Sequence, residues 1–182
     1  MSQADFEPAF KLLLEHEGGY VDNKSDPGGA TKYGVSLRFL SEEGKDINQD
    51  GVINKKDIAD LTADGAKEIY KEKFWDENNI NLIESQRLAN MTFGLCVQMG
   101  APQAILLLQR AANIINVYNK KKKIKEDGAL GPRTLENINK MNEPKLIKEF
   151  KDRATMFYSL LAAKNAKYNV FLKGWIKRVI SY

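Results

Sequence analysis

Thiol and imidazole are nearly absent from this chain of 182 residues, which has one cysteine, Cys96, and one histidine, His16. A lone cysteine excludes any disulfide within the chain and leaves no thiolate set for a structural zinc. Cys96 lies in the apolar stretch from Phe93 to Met99 and reads as a buried small hydrophobe. His16 has no serine or cysteine motif to serve as a base, so it reads as a partly exposed imidazole at a helix end. Proline is scarce, five in all, and no Pro-rich or Gly/Ser-rich linker and no repeat period interrupts the chain. Nowhere do about eighteen apolar residues stand together, and the start MSQADFEPAF, with Asp5 and Glu7, lacks the apolar run of a signal peptide. The expectation is a soluble, compact protein made in the cytoplasm without stable membrane insertion.

What is present is helical periodicity. Phe6, Phe10, Leu13 and Leu14 recur at helical spacing, with Asp5 near the start and Gly18 and Gly19 as the stop. A short helix is expected from Ser36 to Glu43 and a longer one from Thr62 to Trp75, with Ala66, Ile69, Tyr70 and Phe74 as its apolar stripe. Ser85 to Gln98 is almost wholly apolar and so central. Pro102, Pro132 and Pro144 sit where the first turns of three further helices would begin, and Val170 to Ile180 closes the chain with another. Strand signals are nearly missing.

Charge is unevenly spread. Residues 1–80 hold ten Lys and Arg against seventeen Asp and Glu, whereas residues 81–182 hold eighteen against seven, giving −7 and +11. A basic half of this size attracts nucleic acid, anionic lipid or an anionic wall polymer, and its field alone does not choose among them; for Lys120 to Lys123 a plain solvated lysine-rich surface is the better reading. No motif with interleaved aromatics accompanies it, which argues against nucleic acid.

The segment EGGYVDNKSDPGGATKYG, Glu17 to Gly34, carries the chemistry. A carboxylate at a helix C-terminus faces the negative end of the macrodipole, which favours its protonated form and suits a general acid. Gly18 and Gly19 allow a sharp turn close to a polymer, and Asp26 before Pro27 is biased toward extended backbone. Glycoside hydrolysis requires an acid for the leaving oxygen, which Glu17 would supply, and a second polar group for water or developing charge, the role that Asp26 and Thr31 would fill. By pattern alone a plain pair of turns remains the alternative.

The run EGGYVDNKSDPGGATKYGVS closely resembles the signature of glycoside hydrolase family 108, the N-acetylmuramidases of phage lysins and secretion-linked muramidases. The resemblance implies that Glu17 is the catalytic acid. The spacing of Glu17, Asp26 and Thr31 is also similar to the Glu, Asp, Thr arrangement of phage-type lysozymes, although the last interval is one residue shorter here. IYKEKFWDENNI resembles the end of that family's catalytic lobe, while LLLQRA, DGALGPRT and GWIKR resemble its predicted peptidoglycan-binding region. In FGLCVQMG, relatives carry an aspartate and an asparagine where this chain has Gly94 and Gln98, so polar contacts there are altered.

The resemblance implies a mainly α, lysozyme-like helical fold with a small irregular or β-hairpin-like segment after the first helix. It implies a catalytic lobe over 1–84 and a helical peptidoglycan-binding lobe over 85–182. The expected activity is peptidoglycan hydrolysis with no cofactor needed for catalysis, the partner being the glycan strand. A catalytically weakened wall-binding protein of the same fold is the alternative. Tyr20, Gly29, Tyr33 and Trp75 are the candidate substrate contacts; Trp175 is a further stacking candidate, and core packing is an equal reading for both tryptophans. Action on the wall would follow lysis or export outside the general secretory route, through a holin or a secretion system.

A second motif stands apart. DINQDGVINKKD, Asp46 to Asp57, places oxygen ligands at loop positions one, three and five through Asp46, Asn48 and Asp50, with Gly51 at six and Asp57 at twelve. That is an EF-hand-like calcium loop in which Val52 binds through its carbonyl and Asn54 through water. Asp57 replaces the usual glutamate and reaches less far. The other reading is a loop whose carboxylates bond backbone amides without metal.

Overall fold

The computed structural model describes residues 3–16 and 30–182. The chain forms two compact units, Phe10–Lys71, and Met1–Ala9 with Glu72–Tyr182. Helix α1, Phe6–His16, belongs to both; Asp5 accepts a hydrogen bond from the Glu7 amide at its start.

In the unit Phe10–Lys71, Phe10 and Leu13 of α1 are buried. Strands β1, Thr31–Lys32, and β2, Val35–Ser36, pair antiparallel with Thr31 opposite Ser36. The two residues between them, Tyr33 and Gly34, both have positive φ, at 52° and 78°. Positive φ at both central positions gives the tight hairpin turn whose twist matches antiparallel strands. Ser36 ends β2 and also caps helix α2, Leu37–Glu42, accepting from the Phe39 amide. After the 46–54 loop come α3, Lys55–Asp60, capped by Asn54, and α4, Ala63–Tyr70, capped by Thr62. Ala30, Val35, Leu40, Ile58, Leu61 and Ala66 form the core of this unit.

Lys71–Asp76 is one turn of π-helix, closed by the Glu77 amide on the Glu72 carbonyl five residues back. The wider turn adds a residue, so the inward position following Ala66, Ile69 and Tyr70 falls on Trp75 instead of Phe74. The Asn78 amide then donates to the Lys73 and Phe74 carbonyls.

In the other unit, Phe6, Trp75 and Phe93 meet edge to face, with ring centroids 5.5–5.7 Å apart. Phe93 lies on helix α5, Gln86–Met99, capped by Ser85 and buried on nearly every side from Leu88 to Cys96. Burial pushes the Cys96 thiol above its ordinary range, so it is inert packing. Gly100, with φ of 85°, separates α5 from α6, Ala101–Tyr118, and Pro102 sits in the first turn of α6. Pro132 and Pro144 likewise open α7, Pro132–Asn139, and α8, Glu143–Lys164. Helix α9, Asn169–Ser181, packs on α8, and α8 on α6.

Three buried amides on one face of α6 fasten the chain between α6 and α7. Gln109 donates to Asp127, the Ala129 carbonyl and Thr134, and accepts from the Gly128 amide. Asn113 donates to the Ile124 carbonyl and Glu126 and accepts from the Ile124 amide. Asn116 pairs with Asn137 of α7. The hydrogen bond from Gln109, then that from the Ala129 amide, holds the Asp127 carboxyl below the usual range. Among the described residues no helix is long and apolar enough to cross a membrane. Among the described residues the architecture is mainly helical with one small hairpin after the first helix, as the resemblance implies.

Candidate active site

The hairpin is where a predicted site residue meets fixed geometry. Thr31 sits in β1, anchored by the fully buried Ala30, whose carbonyl accepts from the Leu37 amide at 2.9 Å. Tyr33 is held in a left-handed conformation that side chains seldom adopt, a form of strain that collects at working sites. Its carbonyl is fixed by the Tyr70 hydroxyl at 3.0 Å. Lys32 reaches the Ala59 carbonyl with its ammonium 5.7 Å from the Tyr33 ring centre. Tyr70, 37 positions away in sequence, thus acts as a support for Tyr33 that its place in an apolar stripe did not disclose.

Glu17, Tyr20, Asp26 and Gly29 lie outside the described residues. In the sequence they fall between α1, described through His16, and the hairpin that begins beyond Ala30.

Trp75 is corrected. With 2 % of its surface exposed and its ring against Phe6 and Phe93, it has no face to offer a sugar, and core packing is its role. Trp175 lies stacked on Tyr158 at 4.8 Å and on Phe171 at 5.8 Å, and is half-buried. Gly94 is filled in another way: a Cβ added there would collide with the ring and hydroxyl of Tyr182. Gln98 accepts from the Tyr158 hydroxyl, while its own amide nitrogen is buried with no partner among the described residues. Burial pushes the Tyr158 phenol up to about 12.

The 46–57 loop closes on itself. Asp46 accepts from the Gly51 amide, Asn48 from Asp50, and Asp50 from Val52, each through a side-chain oxygen. Asp57 accepts from the amides of Ile47, Asn48 and Asn54, the last completing a capping box for α3. The Asn54 bond leads in holding the Asp57 carboxyl below its ordinary range. The Val52 carbonyl accepts from Asn54. This is the amide-bonded arrangement of the metal-free reading. One oxygen is left over: Asp46 Oδ1 is buried with no partner among the described residues. Among those residues no group of three His, Cys, Asp or Glu side chains is placed to hold a metal ion.

Comparison with known proteins fits this arrangement of elements. A solved structure of SagA from Brucella abortus superposes with a TM-score of 0.76 and 27 % identity, covering 97 % of this chain and 90 % of that one. No curated protein matches the chain. The family model Predicted Peptidoglycan domain matches residues 103–180, which include the α6 ladder and helices α7 to α9. The model Glycosyl hydrolase 108 matches residues 10–100, half of the chain, and within that span lie Glu17, Asp26 and Thr31. The chain therefore belongs to the glycosyl hydrolase 108 family.

Proposed function

We propose that this chain is a lysozyme-like muramidase that cleaves the β-1,4 bond between N-acetylmuramic acid and N-acetylglucosamine in peptidoglycan. Glu17 donates the proton to the leaving oxygen, and Asp26 and Thr31 position water or stabilise the developing charge. Tyr20, Gly29 and Tyr33 contact the glycan, and the helices over 103–180 grip the wall. The observation that carries the reading is the family match over 10–100, which brackets the EGGY glutamate, joined to a peptidoglycan-domain match over most of the remainder. The fixed hairpin adds support, since it holds Thr31 and Tyr33 on a short, well-anchored turn.

Mass analysis of fragments from digested peptidoglycan tests the bond directly: reducing ends on muramic acid are expected. Replacing Glu17 by Gln is expected to lower turnover by about 10²–10⁴-fold with binding retained. Full turnover in Glu17→Gln would show that another group is the acid. A second reading, a wall-binding protein with little turnover, is favoured by Tyr182 filling the space beside Gly94 where relatives carry a polar side chain. Sedimentation with insoluble peptidoglycan without release of reducing sugar would decide for it.

A structural calcium ion in the 46–57 loop is a separate proposal, resting on the unpartnered Asp46 Oδ1. Asp46, Asn48, Asp50 and the Val52 carbonyl would hold the ion, with Asp57 exchanging an amide hydrogen bond for it. Calorimetric titration of the metal-stripped chain with calcium is expected to show binding that Asp46→Asn abolishes. No heat and no change in Tm at millimolar calcium leaves the loop metal-free.

A further inference from the structure

Three adjoining concavities run across the region matched by the peptidoglycan model, with volumes of about 390, 730 and 360 Å³. Lys123 lines both the first and the second, while Ile124 and Arg133 line both the second and the third, so the three form one track. Its walls are cationic. Arg110, Lys123 and Arg153 face the first, Lys122 and Lys125 join the second, and Lys121, Lys140 and Lys145 face the third.

The acids along the track are already engaged. Glu126 pairs with Arg110 at 3.2 Å, Asp127 with Lys125 at 3.5 Å, and Glu136 with Lys140 at 2.7 Å. Lys121, Lys122, Arg133 and Lys145 form no ion pair among the described residues and are exposed. Positive charge in excess of local acids, concentrated in concave surface, attracts an anion more strongly than the same charge spread on a convex face.

Rigidity distinguishes this from a solvated lysine run. The spine of the track is the segment 119–131, tied to α6 by Gln109 and Asn113. Lys120 takes a left-handed φ of 55° that ends α6, and the Lys121 amide turns back onto the Asn116 carbonyl at 2.7 Å. The backbone carrying the cations is therefore preorganised, which lowers the ordering cost of binding.

The lining also indicates what the anion is attached to. Among the described residues no aromatic ring lines the track, so it lacks the stacking platform of single-stranded nucleic-acid grooves. The third concavity combines the amides of Asn119 and Asn137 with the apolar side chains of Ile115, Ile124 and Met141. Amides suit a peptide backbone and apolar patches suit small alkyl side chains, whereas arginine forks pair with planar carboxylates.

We propose that this cationic track seats the carboxylate-bearing stem peptides of intact peptidoglycan, alongside the glycan taken by the EGGY site. The proposal rests on the reading of the chain as a peptidoglycan hydrolase. Recognition of the stems would make the chain prefer wall whose peptides are still attached and whose carboxylates are free.

The full chain is sedimented with two purified walls, one native and one whose carboxylates have been capped with methylamine by carbodiimide. Wild type is expected to bind native wall about tenfold or more tightly than capped wall at low salt. In the variant Lys122→Glu/Arg133→Glu/Lys145→Glu that preference is expected to vanish. These side chains are exposed, and an unchanged Tm checks that the variant folds; Arg133→Gln alone, expected to lose part of the preference, covers the case where it does not. Equal binding of both walls by wild type, or an undiminished preference in a folded triple variant, overturns the proposal. So does tighter binding to single-stranded DNA than to native wall at the same salt. Reducing ends measured on both walls separate the two readings. Release from both walls without a binding preference sinks the track and leaves the hydrolase standing. A preference without release does the reverse.

Discussion

Gly94 shows how one missing side chain reorganises its surroundings. Without a Cβ on the buried face of α5, the space is taken by the Tyr182 ring, and the Tyr182 carbonyl is held by Arg87 at 2.9 Å. Position 94 and position 182 are thus one packing decision. Gly94→Ala is expected to destabilise the fold by about 1–3 kcal/mol through overpacking. In Tyr182→Ala the same substitution is expected to cost much less, and a double-mutant cycle in denaturant measures the difference. Additive effects would mean that the two residues do not share the space. An aspartate at 94 would face the same ring, so it too is expected to overpack unless position 182 changes with it. Nothing in the sequence linked these positions, since their contact depends on how α9 returns to α5.

Among the elements, those marked by a cap or a proline were legible. Ser36, Thr62 and Ser85 cap the helices that follow them, and Pro102, Pro132 and Pro144 open theirs, because the chemistry that starts a helix is local. Helix α3 is hidden in the sequence although its capping box, Asn54 with Asp57, is local too, because both residues also fit the calcium-loop pattern and one side chain serves loop and helix together. The stripe ending at Phe74 missed because a π-turn changes the period, and tertiary packing, not composition, decides where such a turn falls. Of the candidate site, Thr31 and Tyr33 lie on the described hairpin and Trp75 lies in the core, while Glu17 and Asp26 lie outside the described residues and rest on the family resemblance.

Asp57 also carries a pH dependence at this scale. Its carboxyl is held below the ordinary range, so its bonds contribute stability above the unfolded value near about pH 4 and lose it as pH falls through the lowered folded value. Tm measured from neutral to acid pH should therefore fall less steeply in Asp57→Asn than in wild type, from a lower starting point. Parallel curves would mean that the amide bonds do not favour the ionised form.

For the whole molecule the deciding quantity is the charge division, −7 over residues 1–80 and +11 over 81–182. The net +4 conceals it. Because the wall is anionic, screening should weaken encounter, and release of reducing ends from native wall is expected to drop about threefold or more between about 0.05 and 0.3 M salt. Turnover of a short oligosaccharide of alternating N-acetylmuramic acid and N-acetylglucosamine, its carboxylates capped, should change little over that range. An equal loss on both substrates would place the salt effect on catalysis or folding.

The π-turn at Lys71–Asp76 has a consequence for how this family can vary in length. It holds one residue more than the same stretch of α-helix, and that surplus is what brings Trp75 to the inside after Tyr70. Losing a residue here while the turn tightens to α geometry would leave the inward rhythm unbroken on both sides. Related chains can therefore differ by a single-residue gap at this place, with the tryptophan still meeting its phenylalanines.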